Sequence, residues 1–140
     1  MDFLINKYFG FLVTEFSFKG PYTYYYVRER HTDFVKGDLV ISVASEGDYW
    51  VEFIKLKSYD ANVENGTKKV IEIDPSEKRH YSIGSLDRKK KLWNSVSSNN
   101  FPDKKLWYYL NIIRQNPELL KGDFRKFTLK YRLLRFFKGK

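Results

Sequence analysis

The apolar positions Leu4, Tyr8, Phe11 and Leu12 recur at helical intervals with Ile5 beside them. This spacing predicts an amphipathic helix over residues 2–15, weakened at Gly10 and ended before Gly20-Pro21. The period then shortens. Tyr22 to Arg30, Asp38 to Ala44 and Tyr49 to Lys57 are rich in aromatic and β-branched residues, and Leu39, Ile41 and Val43 alternate with period two, so all three segments are predicted strands. Ser45-Glu46-Gly47-Asp48 between the last two has the length and chemistry of a hairpin connection. A fourth strand is predicted at Lys68 to Ile73, after the turn signal Asn65-Gly66 and before the breaker Asp74-Pro75. Links this short imply antiparallel neighbours.

After Ser76 the pattern returns to helix. Ser85 is placed to cap a helix running to Val96, with Leu86, Trp93 and Val96 on one face, and Ser97 to Asn100 reads as a loop. Pro102-Asp103 opens a second helix whose Leu106, Tyr109, Leu110 and Ile113 share a face, and Asn116-Pro117 ends it. In Asp123 to Lys138 helical spacing (Phe124, Phe127, Tyr131, Leu134) competes with alternation (Phe127, Leu129, Tyr131, Leu133); helix is the reading adopted. The order predicts an α+β fold in one domain over residues 1–140. An N-terminal helix would be followed by a three- to four-stranded antiparallel meander and by C-terminal helices packed on one face.

Composition refines this picture in two ways. Aromatic residues make up 19 % of the 140, which suits a core built from large rings, and the chain has no cysteine, which removes disulfides, thiolate metal sites and a cysteine nucleophile. Charge is divided: residues 1–76 hold 9 Lys/Arg against 12 Asp/Glu, residues 77–140 hold 17 against 5, so the net +9 belongs to the second half. An anionic partner is expected there. The start of the chain carries Asp2 where a secretory signal needs positive charge, so a cytoplasmic protein without a membrane span is expected.

Catalytic signatures are sparse. His31 and His80 lie far apart in turn-like contexts and read as exposed polar residues, so no metal or other cofactor is expected. Asp48, Glu52 and Glu72 could converge on one sheet face as an acid/base pair or a magnesium site; solvated surface acids are the plainer reading. Asp87-Arg88-Lys89 and Asp103-Lys104-Lys105 fit the acid-x-Lys spacing of some nucleases, in lysine-rich stretches where the match is nearly free. The basic patches carry more weight. Arg88, Lys89, Lys90 and Lys91, with Lys104 and Lys105, flank Trp93 and Trp107, the mixture of cations and stacking surfaces used on single-stranded nucleic acid; Arg88, Lys89, Lys90, Lys91, Trp93, Lys104 and Lys105 are the candidate contacts. The C-terminal Lys126 to Lys138 has its cations spread around the helical wheel, so core packing with outward-reaching stems is favoured over membrane binding.

Two stretches are familiar. Phe11 to Lys19 resembles the helix end and following "GF" element that opens many small bacterial α+β proteins of unknown function, and Asn116 to Phe124 resembles the "LL-x-GDF" turn near their C-termini. Ser17 stands where those proteins usually carry glycine, and Arg125 where serine is common. The resemblance implies an immunity or accessory protein of a bacterial toxin locus, that is, a non-enzymatic binder of a protein partner. The alternative is a basic nucleic-acid-binding module, with an unrecognised hydrolase or nuclease behind it.

Overall fold

The computed structural model describes residues 3–97 and 103–127, without the side chains of Arg88 and Ser97. The first helical segment breaks at Gly10 into α1 (Phe3–Phe9) and α2 (Phe11–Thr14). A five-stranded antiparallel meander follows in the order β1 (Lys19–Tyr26), β2 (Glu29–Lys36), β3 (Leu39–Ser45), β4 (Tyr49–Leu56) and β5 (Lys78–Ser82). Between β4 and β5 the chain makes a long excursion containing α3 (Ala61–Glu64) and 3-10 turns at Val70–Glu72 and Pro75–Glu77. Beyond the sheet lie a 3-10 turn at Ile83–Leu86, α4 (Lys91–Ser97), α5 (Lys104–Gln115) and 3-10 turns at Pro117–Lys121 and Arg125–Phe127. Among the described residues no helix is long and apolar enough to cross a membrane.

The α+β class and the antiparallel meander agree with the hydrophobic pattern, while four elements differ from it for identifiable reasons. Tyr22 to Arg30 is not one strand: the chain reverses at Val27-Arg28, a pair with no turn signature, and β2 follows at once. Lys68 to Ile73 is not a strand either. Glu72 Oε1 accepts the Lys69 N–H (2.9 Å) and closes a local turn, while buried Val70 plugs the outer face of the sheet from above. The last strand is instead Lys78–Ser82, whose Lys-Arg-His composition gives no strand signal and which owes its place to pairing with β4, from Leu56↔Lys78 to Glu52↔Ser82. Finally, Ser85 caps no helix; its hydroxyl donates to the Ser82 carbonyl, and α4 begins only at Lys91, capped by Asp87.

Two apolar layers flank the sheet. Phe34, Ile41, Val43, Val51 and Phe53 pack on one face against Ile5, Phe9 and Leu12 of α1 and α2, Val96 of α4, and Leu106, Ile112 and Ile113 of α5. On the other face Val35, Val40, Ile54 and Leu56 meet Val63 and Val70 of the excursion, so the sheet is covered on both sides rather than one. This is why β3 is buried along nearly its whole length. Gly122 adopts a left-handed conformation and donates its N–H to Leu119, closing the Pro117–Lys121 turn as its position after Leu119-Leu120-Lys121 predicts. Of the predicted loop Ser97 to Asn100, Ser97 is the last residue of α4; the rest of it, Pro102 and the segment from Thr128 to Lys138 lie outside the described residues.

Candidate functional site

The basic residues and Trp93 meet where α4 crosses α5. Asp87 organises this corner: its Oδ1 accepts the Leu92 N–H (2.9 Å), and its Oδ2 accepts both the Trp93 N–H and the Tyr108 hydroxyl (2.9 Å each). To let that carboxylate reach the start of α4, the chain turns back through Lys89 (φ 58°) and Lys90 (φ 55°). Lys89, Lys90 and Lys91 are left exposed around the turn, and Arg88 contributes to its backbone. Asp87 therefore already fills the position at the helix start that a phosphate would seek.

Trp93 is brought together with Lys104 and Lys105, as their candidate roles require. Its ring makes a T-shaped contact with Tyr108 (5.1 Å between centroids), and the Lys104 and Lys105 ammonium groups lie over it at 5.9 and 5.8 Å. Lys105 also pairs with Asp48 of the β3–β4 hairpin at 2.8 Å. Partial burial works to raise the Asp48 carboxyl, but the bonds from Lys105 and the Tyr49 N–H outweigh it and hold that group below its ordinary range. Two lysines thus already lie over the half-buried tryptophan that would stack on a base, one of them partly neutralised.

The other carboxylates are occupied elsewhere. Asp103, of the second acid-x-Lys triplet, is buried and accepts a bond from the Tyr8 hydroxyl; burial and that bond push Tyr8 up to about 12. Asp48, Glu52 and Glu72 do not converge, since Glu52 pairs with His80 (2.9 Å) and Glu72 with the Lys69 backbone. Among the described residues no three His, Asp or Glu side chains group as metal ligands would. Neither histidine lies in a turn: His31 is in β2 and His80, which is exposed, is in β5 opposite Ile54. His31 is not exposed: its ring stacks on Tyr24 (5.2 Å, 7°) and its Nε2 lies 3.0 Å from Glu29.

Two features escape sequence reading. One is Asp33, a central-sheet carboxyl with only 3 % of its surface exposed. Its Oδ2 accepts the Tyr24 hydroxyl (2.9 Å), and it borders a cavity of about 60 Å³ lined also by Tyr22, Val63, Val70 and Lys69, large enough for a few waters and too small for an organic ligand. Burial raises the Asp33 carboxyl above its ordinary range, opposed by the hydroxyls of Ser42 and Tyr24 and by the charges of His31 and Lys78. A group whose folded value is raised contributes stability that is complete below its unfolded value of 3.8 and is lost as pH rises through the folded value. Asp33→Asn keeps the shape and the acceptor for Tyr24 without that loss. Urea unfolding at pH 4, 5, 6 and 7 is expected to show the variant's advantage growing with pH; a difference that stays flat across the series contradicts the assignment.

The other feature is the tip of the first hairpin. Tyr25, Tyr26 and Val27 are 70, 50 and 83 % exposed, three large apolar side chains in succession. Val27 holds φ 58°, a left-handed conformation that is an outlier for a β-branched residue. The only advance signal was the density of tyrosine, which fits a buried strand equally well. Comparison with family models, with curated proteins and with solved structures returns no match for this chain.

Proposed function

We propose that this chain is a non-enzymatic binding protein that docks a protein partner through the β1–β2 hairpin. The observation that carries the reading is the tip itself. An exposed apolar run is joined there to a strained backbone that glycine or asparagine would relieve. Tyrosine is also among the residues that dominate the energetics of protein interfaces. An immunity or accessory role at a toxin locus accommodates the net charge of +9 if the partner presents an acidic surface or if the contact falls in residues 1–76, which carry net −3 and include this hairpin. Nucleic-acid binding is the second reading, favoured by the exposed Lys89, Lys90 and Lys91 and weakened by the two lysines that already lie over Trp93.

One comparison separates the two. Tyr25→Ala/Tyr26→Ala and Lys89→Ala/Lys90→Ala/Lys91→Ala are set beside the wild type in affinity capture with quantitative mass spectrometry, and in titrations with single-stranded and duplex 20-mers. A protein retained by the wild type and by the lysine variant, and at least tenfold depleted on the tyrosine variant, is the expected result. Oligonucleotide binding at physiological salt that the lysine variant loses and the tyrosine variant keeps would replace this reading by the second.

A further inference from the structure

Among the described residues the order β1-β2-β3-β4-β5 leaves β1 and β5 as the edges of the sheet. Tyr26 and Glu29 flank the two-residue turn, and in such a hairpin the flanking pair exchanges both main-chain hydrogen bonds. Bonded pairs alternate with unbonded ones, so Tyr24 and Tyr22 also bond to β2. The N–H and C=O groups of Thr23 and Tyr25 are left pointing away from the sheet. The β2–β3 register agrees, because Lys36↔Leu39 flanks its own two-residue turn and assigns the outward groups of Phe34, Thr32 and Arg30 to β3.

Sheet edges are ordinarily protected by charges, proline or irregular register. β5 carries Lys78, Arg79 and His80. The first half of β1 has Lys19, Pro21 with no N–H to offer, and a break in register between Lys19 and Tyr22. Thr23 to Tyr26 has none of these devices: four strand-forming residues without charge or proline, with Thr23, Tyr25 and Tyr26 exposed.

We propose that this open half of β1 takes an extended, acidic segment of a protein partner as a sixth strand. The inference rests on the docking reading above and specifies its mode. The acidic character follows from the setting: Arg28 is exposed at the tip, and the Lys69 ammonium lies over the Tyr24 ring at 5.5 Å beside the strand. The neighbouring carboxylates Glu29 and Glu72 are held by His31 and by the Lys69 N–H. Main-chain bonds to Thr23 and Tyr25 supply affinity, and the tyrosine rings receive alternate side chains of the incoming strand.

Proline at position 23 tests the mode, because it removes an N–H that faces outward and leaves the ladder to β2 intact. Thr23→Ala controls for the lost hydroxyl contact with Thr32 (3.4 Å). The probe is a capped, fluorescein-labelled heptapeptide of alternating acidic and valine residues, with a lysine-for-acid counterpart, titrated in 150 mM salt. The expected result is saturable binding of the acidic peptide to the wild type and to Thr23→Ala, at least tenfold weaker binding to Thr23→Pro, and none of the lysine peptide. Should Thr23→Pro unfold, alternate N-methylation of the peptide removes the partner's donors instead, with the same tenfold loss expected on the wild type.

Equal binding to Thr23→Pro and wild type overturns strand addition. If Tyr25→Ala/Tyr26→Ala still loses binding in that case, docking at the tip stands without it; if that variant also binds normally, both fall. Failure of the acidic peptide to bind the wild type, or equal binding of the lysine peptide, overturns the inference as well. So does a wild-type dimer in sedimentation that Thr23→Pro abolishes, because the edge then belongs to a second copy. Oligonucleotide binding lost in the tyrosine variant would assign the surface to nucleic acid.

Discussion

Asp87→Ala is expected to lower the unfolding free energy by about 1.5–5 kcal/mol. It removes an N-cap that serves two backbone N–H groups, an effect of about 0.5–2 kcal/mol, and leaves the hydroxyl of buried Tyr108 without its acceptor, about 1–3 kcal/mol more. Burial and the Asp87 carboxylate together push the Tyr108 hydroxyl above its ordinary range, so this tyrosine is a donor at any working pH. Asp87→Asn keeps one acceptor and is expected to fall between alanine and wild type. Urea unfolding followed by near-ultraviolet circular dichroism, which reports on Trp93 and Tyr108, measures both. A change in Asp87→Ala below about 0.5 kcal/mol would remove Asp87 as the organiser of this corner and reopen the acid-x-Lys triplet as a catalytic candidate.

Gly66→Ala is expected to cost about 2–6 kcal/mol. Gly66 holds φ 83°, and a Cβ there would stand 2.5 Å from the Tyr22 ring. The ring has little room to retreat, because its hydroxyl donates to the Glu64 carbonyl at 2.9 Å. Left-handed strain accounts for about 1–3 kcal/mol and overpacking for a similar amount. Gly47→Ala separates the two: Gly47 has a comparable φ of 77° at the β3–β4 hairpin, with nothing within 4 Å of an added Cβ. Equal losses in the two variants would show that Tyr22 moves aside without resistance.

Both sites bear on how the molecule presents its surfaces. Asp87 holds the cluster in which Lys104 and Lys105 lie over Trp93, and Gly66 seats the excursion that closes over Asp33. With these fixed, the apolar surface left in the open on the first hairpin is Tyr25, Tyr26 and Val27.

The sequence by itself determined the class and the strongest elements. Leu39, Ile41 and Val43 alternate because one face of β3 meets α1 and α5. Leu106, Tyr109, Leu110 and Ile113 recur at helical spacing because α5 buries a stripe, in which Tyr109 is only half-buried and Tyr108 and Ile112 join it, and Gly122 follows Leu119-Leu120-Lys121 because that turn ends left-handed. Each is a local pattern set by burial of one face or by one backbone angle, and such patterns are written along the chain. What tertiary structure decided depends on partners distant in sequence. Lys78–Ser82 becomes a strand only because β4 offers an edge, and Lys68 to Ile73 loses strand form because Val70 is needed to cover Val40 and Ile54. The candidate site belongs to this second kind. Trp93, Lys105 and Asp48 come from three separate elements, and a row of tyrosines reads the same in sequence whether a neighbouring strand covers its edge or leaves it bare. Pairing and exposure at an edge are set by which strand stands last in the sheet, a property of the assembled fold and of no single segment.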